Sequence, residues 1–213
     1  MNFDLYKFLE TQDKIQRSCV PPYEENCNVD CFILHIQEEV MEAYEAFILY
    51  KSKDLSLQSE YYLNNYLEEV SDIVMYCGSF ISYLYGLIYN NYEFDIKLID
   101  NLYKGRYIIN YEDCTFERKM NKDNFNLIIR KLIIMRKLSL SRKYHKYIEK
   151  NEKTKYLFDS NYTLMIKELI SLIFLIIKLF IDNNEFNRNT FNRFIIIMNN
   201  KEDKTLRNFN GVN

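Results

Sequence analysis

The sequence predicts an all-α fold, a helical bundle that contains two antiparallel metal-binding helices. Only four Gly and two Pro occur among 213 residues, and the prolines are adjacent, at Pro21 and Pro22. The chain therefore has few residues that end helices or form tight turns. Apolar residues recur at helical spacing, and no alternating run indicates a strand. With 48% hydrophobic residues, the chain can fill one core, so residues 1–213 are expected to form a single domain.

The predicted helices follow in order along the chain. A short helix covers 2–17, a loop contains both prolines, and long helices cover 29–51 and 60–89 on either side of a polar connection. Both long helices carry apolar stripes with the spacing of antiparallel bundle helices; these are Ile33, Ile36, Val40, Tyr44 and Phe47, and Leu63, Tyr66, Val70, Ile73 or Val74, Cys77 and Ile81. Further helices are predicted at 95–103, 123–139, 142–150, 162–181 and 190–198, with irregular chain at 105–116 and a polar tail.

Both long helices carry an acidic pentad, EEVME at 38–42 and EEVSD at 68–72. With about 100° of rotation per residue, Glu39 and Glu69 lie near −100° from the central Val of each pentad, and Glu42 and Asp72 lie near −160°. The four carboxylates therefore share one sector, between apolar rows, whereas the first Glu of each pentad is interpreted as an ordinary surface residue. Such motifs are common as charged helix faces, but two with matching phase on consecutive helices indicate a shared site.

Four carboxylates in one partly enclosed cleft repel each other unless a cation compensates them. An all-oxygen site suits Mg2+, which keeps bound water and accepts phosphate oxygens. Glu39, Glu42, Glu69 and Asp72 are therefore the predicted metal ligands.

At these residues the sequence resembles the all-α nucleoside triphosphate pyrophosphohydrolases, the superfamily of MazG proteins and dimeric dUTPases. Their signature is EExxE followed after a spacer by ExxD, matched here within 29–89. The resemblance implies a Mg2+-dependent enzyme that converts a (d)NTP to the monophosphate and pyrophosphate. It implies that Glu39 orients or deprotonates the attacking water.

The dimeric dUTPases look slightly closer than the MazG proteins. The segment FLETQ at 8–12 is similar to their N-terminal helix, which implies that Gln12 contacts a uracil base; Tyr76 is a second candidate for substrate binding. The chain departs from that branch because it has no Trp, and 201–211 (KEDKTLRNFNG) is only weakly similar to its Lys/Asn/Arg segment.

The second half of the chain, 120–200, has two interpretations. It is a degenerate copy of the acidic helix pair, with Glu168 at the position of Glu69 and Ser171 at that of Asp72, or it consists of two unrelated apolar helices. In the first case it is a non-catalytic scaffold, with Arg130, Lys131 and Arg136 where the first copy is acidic.

Composition restricts the alternatives. The net charge of −2 gives no global field for nucleic acid, so a nucleic-acid-binding module using the basic region 118–155 is a minor alternative, as is a non-catalytic relative. Five cysteines form no regular disulfide framework, which suits a reducing cytosol. The most apolar run, 169–181, is shorter than the roughly 20 residues that span a bilayer, so no membrane association is expected.

A homodimer is expected, from the resemblance and from apolar residues that one helix stripe does not use. The residues proposed to leave a second, aromatic-rich surface are Phe32, Leu34, Tyr76, Phe80, Tyr83 and Tyr85.

Overall fold

The computed structural model describes residues 2–18, 29–52, 59–89, 108–110, 122–145, 152–181 and 188–209, and these residues form an all-α bundle, as predicted. Two short strands, β1 (Asn2–Asp4) and β2 (Ile108–Asn110), pair antiparallel beside it. The helices of the described part are α1 (Leu5–Ser18), α2 (Val29–Ser52), α3 (Ser59–Tyr89), α4 (Lys122–His145), α5 (Glu152–Ile181) and α6 (Arg188–Phe209).

Ring contacts show that α2 and α3 pack antiparallel. Phe32, near the start of α2, stacks on Phe80 near the end of α3 with ring centroids 4.9 Å apart. Phe47, near the end of α2, meets Tyr66 near the start of α3 at 5.7 Å. Between them the two central valines of the acidic motifs, Val40 and Val70, are buried. This pairing orients both acidic motifs relative to the same core.

The second helix pair packs against the first. Ser139 of α4 donates a hydrogen bond to Asp30 of α2 at 2.8 Å, and Phe125 meets Tyr44 with centroids 4.7 Å apart, so α4 runs antiparallel to α2. Helix α5 packs on α3 and α4. Each helix of the first pair therefore contacts its proposed counterpart in the second, the arrangement expected of a duplicated pair, and the duplication stays a prediction.

Helices α1 and α6 cover the remaining side of α3. Helix α1 approaches α3 closely at Gly78, where an added Cβ would lie 2.6 Å from Cζ of Phe8 and 2.7 Å from Cγ of Gln12. Helix α6 runs parallel to α3, because Arg193 near its start bonds with Asn64 and Lys201 further along bonds with Asp72. Two outer helices thus meet beside the second acidic motif.

Several element boundaries differ from the sequence prediction. Residues 2–4 are a strand rather than the start of a helix, and the Asp4 carboxylate accepts hydrogen bonds from the backbone N–H groups of Tyr6 at 3.0 Å and Lys7 at 3.2 Å. Asp4 therefore caps α1 at its N terminus. Helix α4 continues through 140–141, where a break was predicted, and α5 begins ten residues before the predicted start at 162. The helix predicted at 95–103 lies outside the described residues.

The predicted polar tail is wrong for 199–209, which continue α6. The segment is polar because its contacts with α1 and α3 are themselves polar. Glu202 is buried, and it accepts a hydrogen bond from Gln12 at 3.0 Å. Apolar periodicity ends at Met198, so it could not indicate that the helix continues.

The aromatic surface that was proposed for dimerisation is inside the chain. Phe32, Phe80, Tyr83 and Tyr85 are all buried by helices of the same chain. Leu34 remains exposed. These rings therefore offer no second surface, so this particular argument for a dimer is wrong.

Two helical segments, Glu60–Tyr89 and Ser160–Ile177, are long and apolar enough to cross a membrane by length and composition. More than half of each most apolar window is buried within the bundle. Core helices of water-soluble proteins meet the same criterion, so these segments are weak indicators of a membrane span.

Candidate metal and phosphate site

The two acidic motifs converge, as predicted. Carboxylate oxygens of Glu39, Glu69 and Asp72 all lie within 4.8 Å of one another. Within the described residues, this is the one group of three or more His, Cys, Asp or Glu side chains close enough to share an ion. Glu42 is exposed at the edge of the group and shares a hydrogen bond with Glu69. The four predicted ligands are therefore neighbours, three of them as a compact group.

Burial and mutual repulsion change the protonation of this cluster. The pKa of Glu39 is raised to about 7, first by burial and then by the negative charges of Asp72, Glu42 and Glu69, against the opposing effect of Lys201. The pKa of Glu69 is also raised, first by burial and then by Asp72 and Glu42. The Glu42–Glu69 hydrogen bond needs a proton on one of the two carboxyl groups. The cluster thus favours a bound proton or cation.

A lysine that was not predicted as a site residue supplies part of that positive charge. Lys201 of α6 places Nζ 2.5 Å from Oδ2 of Asp72 and donates a second hydrogen bond to the backbone carbonyl of Glu68 at 3.0 Å. Both side chains of the ion pair are about one-third exposed, at 28% and 33%. The weak similarity of 201–211 to a Lys/Asn/Arg segment was the only sequence signal for this contact.

Three carboxylate oxygens this close together could hold a metal ion. Around an octahedral ion such as Mg2+, with metal–oxygen bonds of about 2.1 Å, neighbouring ligands are about 3 Å apart and only opposite ligands are about 4.2 Å apart. Oxygens that lie within 4.8 Å of one another would therefore have to move closer to share one such ion. Small side-chain rotations of Glu39, Glu69 and Asp72 would suffice, while exposed Glu42 could complete the set or hold a second ion.

Gln12 lies beside the cluster but its amide is already bonded within the protein. The side chain is fully buried. Its nitrogen donates to Glu202 at 3.0 Å and to the sulfur of Met75 at 3.2 Å, and its oxygen accepts from Ser79 at 3.0 Å. Contact with a base, as the resemblance implies, would require this network to open.

Tyr76 lies at the rim of the acidic cluster, about one helical turn after Asp72. It is half-buried, and its ring stacks on His35 with centroids 5.4 Å apart. His35 Nδ1 lies 3.2 Å from a carboxylate oxygen of Glu38. The structure thus places an aromatic pair from α2 and α3 next to the acids, where a planar base could stack.

The second helix pair holds a lysine where the first pair holds acids. Lys131 of α4 donates to Glu168 at 2.8 Å and to Ser171 at 3.1 Å. These are the two residues that the proposed duplication aligns with Glu69 and Asp72. An internal ammonium group therefore neutralises this carboxylate, which leaves the first pair as the better candidate for a metal.

We predict that Lys201→Met lowers the free energy of unfolding of the metal-free chain by about 1 kcal/mol. This value lies between the loss expected on breaking an exposed ion pair and that on breaking a buried one. The loss follows because Asp72 would face the other acids without its ammonium partner. Lys204→Met, at an exposed position one turn along α6, is the matched control. Thermal melting in a chelator measures both variants, and equal melting temperatures would contradict a role for Lys201 in balancing the cluster.

We predict that the metal-free chain becomes less stable as pH rises from about 5 to about 8. Glu39 and Glu202 both have a pKa raised from 4.5 to about 7 in the folded chain, in each case mainly by burial. Between these values the folded state binds protons that the unfolded state releases, so raising the pH favours unfolding. Melting curves of the wild type and Glu39→Gln measure this, and the variant should show a smaller slope.

Comparison of the chain with known protein families, with characterised proteins and with solved structures finds no match. The resemblance to the all-α pyrophosphohydrolases therefore rests on the residues themselves. These are the two acidic motifs and the N-terminal helix with Gln12. The function is accordingly argued from the chemistry of the cluster.

Proposed function

We propose that the chain is a Mg2+-dependent nucleoside triphosphate pyrophosphohydrolase that releases a nucleoside monophosphate and pyrophosphate. The observation that carries the proposal is the convergence of Glu39, Glu69 and Asp72 within 4.8 Å. These residues come from two consecutive helices, and the matching phase of the two acidic motifs predicts that their carboxylates face the same cleft. Carboxylates this close together suit a hard divalent cation. Such a cation can in turn bind the phosphate groups of a nucleotide.

The side chains suit distinct tasks in such a reaction. Mg2+, when bound, would compensate the acids and polarise a phosphoryl oxygen. Glu39, whose pKa is raised to about 7 in the metal-free chain, is the candidate to orient the attacking water or to accept its proton. Lys201 is paired with Asp72, and once cations compensate that carboxylate its ammonium group can turn to a phosphate oxygen.

A non-catalytic relative is the second candidate. It is favoured by the contact between Lys201 and Asp72, because this ion pair partly neutralises the cluster without any metal. The third interpretation, nucleic-acid binding by 118–155, has less support. Part of that region lies outside the described residues, and within it Lys131 is engaged by Glu168 and Ser171.

We predict that Glu39→Gln and Asp72→Asn each lower the rate of pyrophosphate release by roughly 100-fold or more, since each removes charge from the cluster but keeps the side-chain shape. Glu38→Gln and Glu68→Gln are matched controls. Their side chains are exposed and are not part of the group of three carboxylates that could share an ion, so activity should stay within a few-fold of wild type. Pyrophosphate release with and without Mg2+ measures all four variants.

Two results would contradict the proposal. The first is absence of Mg2+-dependent pyrophosphate release by the wild type from every canonical and modified (d)NTP. The second is equal activity in the cluster variants and their controls. Salt-sensitive retention on DNA or RNA together with no hydrolysis would favour the nucleic-acid interpretation.

We also predict a preference for a pyrimidine deoxynucleotide, with dUTP as the leading substrate. The reason is the resemblance at Gln12, whose amide can both donate to and accept from a uracil edge, and the nearby ring of Tyr76. Values of kcat/KM for dUTP, dCTP, dATP and dGTP measure it. Equal values for purines and pyrimidines would show that the bonded Gln12 amide does not select the base.

A further inference from the structure

A pocket opens where α6 meets β1 and the first turns of α1. Its volume is about 100 Å3. An apolar cavity of ~150 Å3 holds a benzene molecule, so this pocket has room for a group of a few heavy atoms. Its walls are apolar and its floor carries a carboxyl group, and this combination restricts what can bind.

Four buried apolar side chains form the walls of the pocket, and they are Phe3, Phe8, Ile195 and Met198. The rings of Phe3 and Phe8 are tilted by 47°, with centroids 5.4 Å apart. Aromatic rings pack against hydrocarbon and also attract cations. The walls therefore suit a short alkyl chain that carries a positive charge.

Glu202 brings its carboxyl group into these apolar surroundings. The residue is only 9% exposed, and one carboxylate oxygen accepts a hydrogen bond from Gln12 at 3.0 Å. Within the described part of the chain, no hydrogen bond or ion pair engages the other oxygen. Burial is the main cause that raises the pKa of Glu202 to about 7. A buried acceptor without a donor is costly, so the pocket favours an occupant that donates a hydrogen bond.

The other charged groups of the pocket favour a cation as that occupant. Asp4 and Lys7 also line the pocket, and both are exposed. The ammonium group of Lys7 opposes the burial that raises the pKa of Glu202, but among the described residues it forms no ion pair with that carboxylate. Two carboxyl groups thus face one ammonium group that can turn to water, and this balance attracts positive rather than negative charge.

We propose that this pocket binds a short primary alkylammonium group, with its nitrogen at Glu202 and its carbon chain along Phe3 and Phe8. A primary ammonium has three N–H donors and no acceptor, so it can donate to the second oxygen of Glu202 while its other donors face Asp4 or water. A charged donor on a charged acceptor forms one of the stronger hydrogen bonds. A free alkylamine and the side chain of a lysine share this chemistry.

The pocket is separate from the acidic cluster. The residues of α6 that line it are centred about 110° round the helix from Lys201, whose ammonium group pairs with Asp72. An amine in the pocket therefore leaves the carboxylates of the cluster uncovered. Amine binding and the proposed pyrophosphohydrolase activity can fail independently, because calorimetry tests the first and pyrophosphate release tests the second.

Calorimetric titration of the full chain with n-butylammonium measures binding. A pH of about 8 keeps Glu202 mostly ionised, because its pKa is about 7. The matched probes are n-butanol, which has the same chain without a charge, and butyrate, which has the opposite charge. The wild type should bind n-butylammonium roughly tenfold more tightly than either probe, since the charge-assisted hydrogen bond is made by the ammonium alone. Equal binding of n-butanol, or tighter binding of butyrate, would overturn the proposal.

Substitutions at the carboxyl group and at the opening of the pocket locate the site. Glu202→Gln keeps an oxygen that can accept from Gln12 but removes the charge, so it should weaken binding roughly tenfold or more. Asp203→Asn is the matched control, because Asp203 is the exposed neighbour on α6, and binding should stay unchanged. Asn199→Trp should also prevent binding, since this exposed residue lines the pocket and a large ring there would cover the opening. Circular dichroism checks that each variant is helical.

A third substitution tests the sign of the ligand's charge. Lys7→Gln removes the ammonium group that competes for Glu202, so it should tighten the binding of n-butylammonium. Weaker binding in Lys7→Gln would show that the lysine attracts the ligand, and it would overturn the proposal. Diaminobutane and Nα-acetyl-lysine amide, titrated in the same way, distinguish a free amine from a lysine side chain as the ligand.

The acidic cluster also attracts cations, and Asp72→Asn separates the two sites. Binding of n-butylammonium should persist in Asp72→Asn and disappear in Asn199→Trp. The reverse result would place the amine at the cluster and overturn the proposal. Absence of binding by the wild type at millimolar n-butylammonium would overturn it as well.

Discussion

The site depends on the register in which α2 packs against α3. The contacts of Phe32 with Phe80 and of Phe47 with Tyr66 fix that register at both ends of the helix pair. Because the helices are antiparallel, the two acidic motifs run in opposite directions along the helix pair. A slip by one turn would separate the two motifs by about 5.4 Å. The aromatic core thus determines the spacing of the carboxylates although none of its rings bears a charge.

The acids brought together in this way repel each other, and the fold opposes that repulsion from outside the helix pair. The ammonium group of Lys201 comes from α6, a separate element. In the second helix pair the compensating cation, Lys131, belongs to the pair itself. The difference bears on the proposed metal site, since a lysine on a separate helix can leave its carboxylate without disturbing the packing within the pair. A lysine inside the pair is held by that packing. The first pair is therefore the one suited to exchange a proton or lysine for a metal.

Local patterns predicted the fold class, the two long central helices and the shared sector of the acids, because helical periodicity is a property of neighbouring residues. They failed where the decisive contact was distant in sequence. Three features depend on contacts between segments more than 100 residues apart. They are the pairing of β1 with β2, the contact of Lys201 with Asp72, and the continuation of α6 past Met198. The polar contacts of Gln12 with Glu202 and with Ser79 also join residues that are distant in sequence, 190 and 67 positions apart. No period along the chain indicates them.

Helix α2 shows why a single apolar face describes these helices poorly. One side of α2 packs in the core through Ile36, Val40 and Ala43, and one flank carries Glu39 and Glu42. Leu34, Met41 and Ile48 lie exposed on the side away from the core. The aromatic residues first taken as a surface are needed inside, because they fix the register of α2 on α3. The acids lie at the boundary between core and solvent, and this position explains why burial is the first cause that raises the pKa of Glu39.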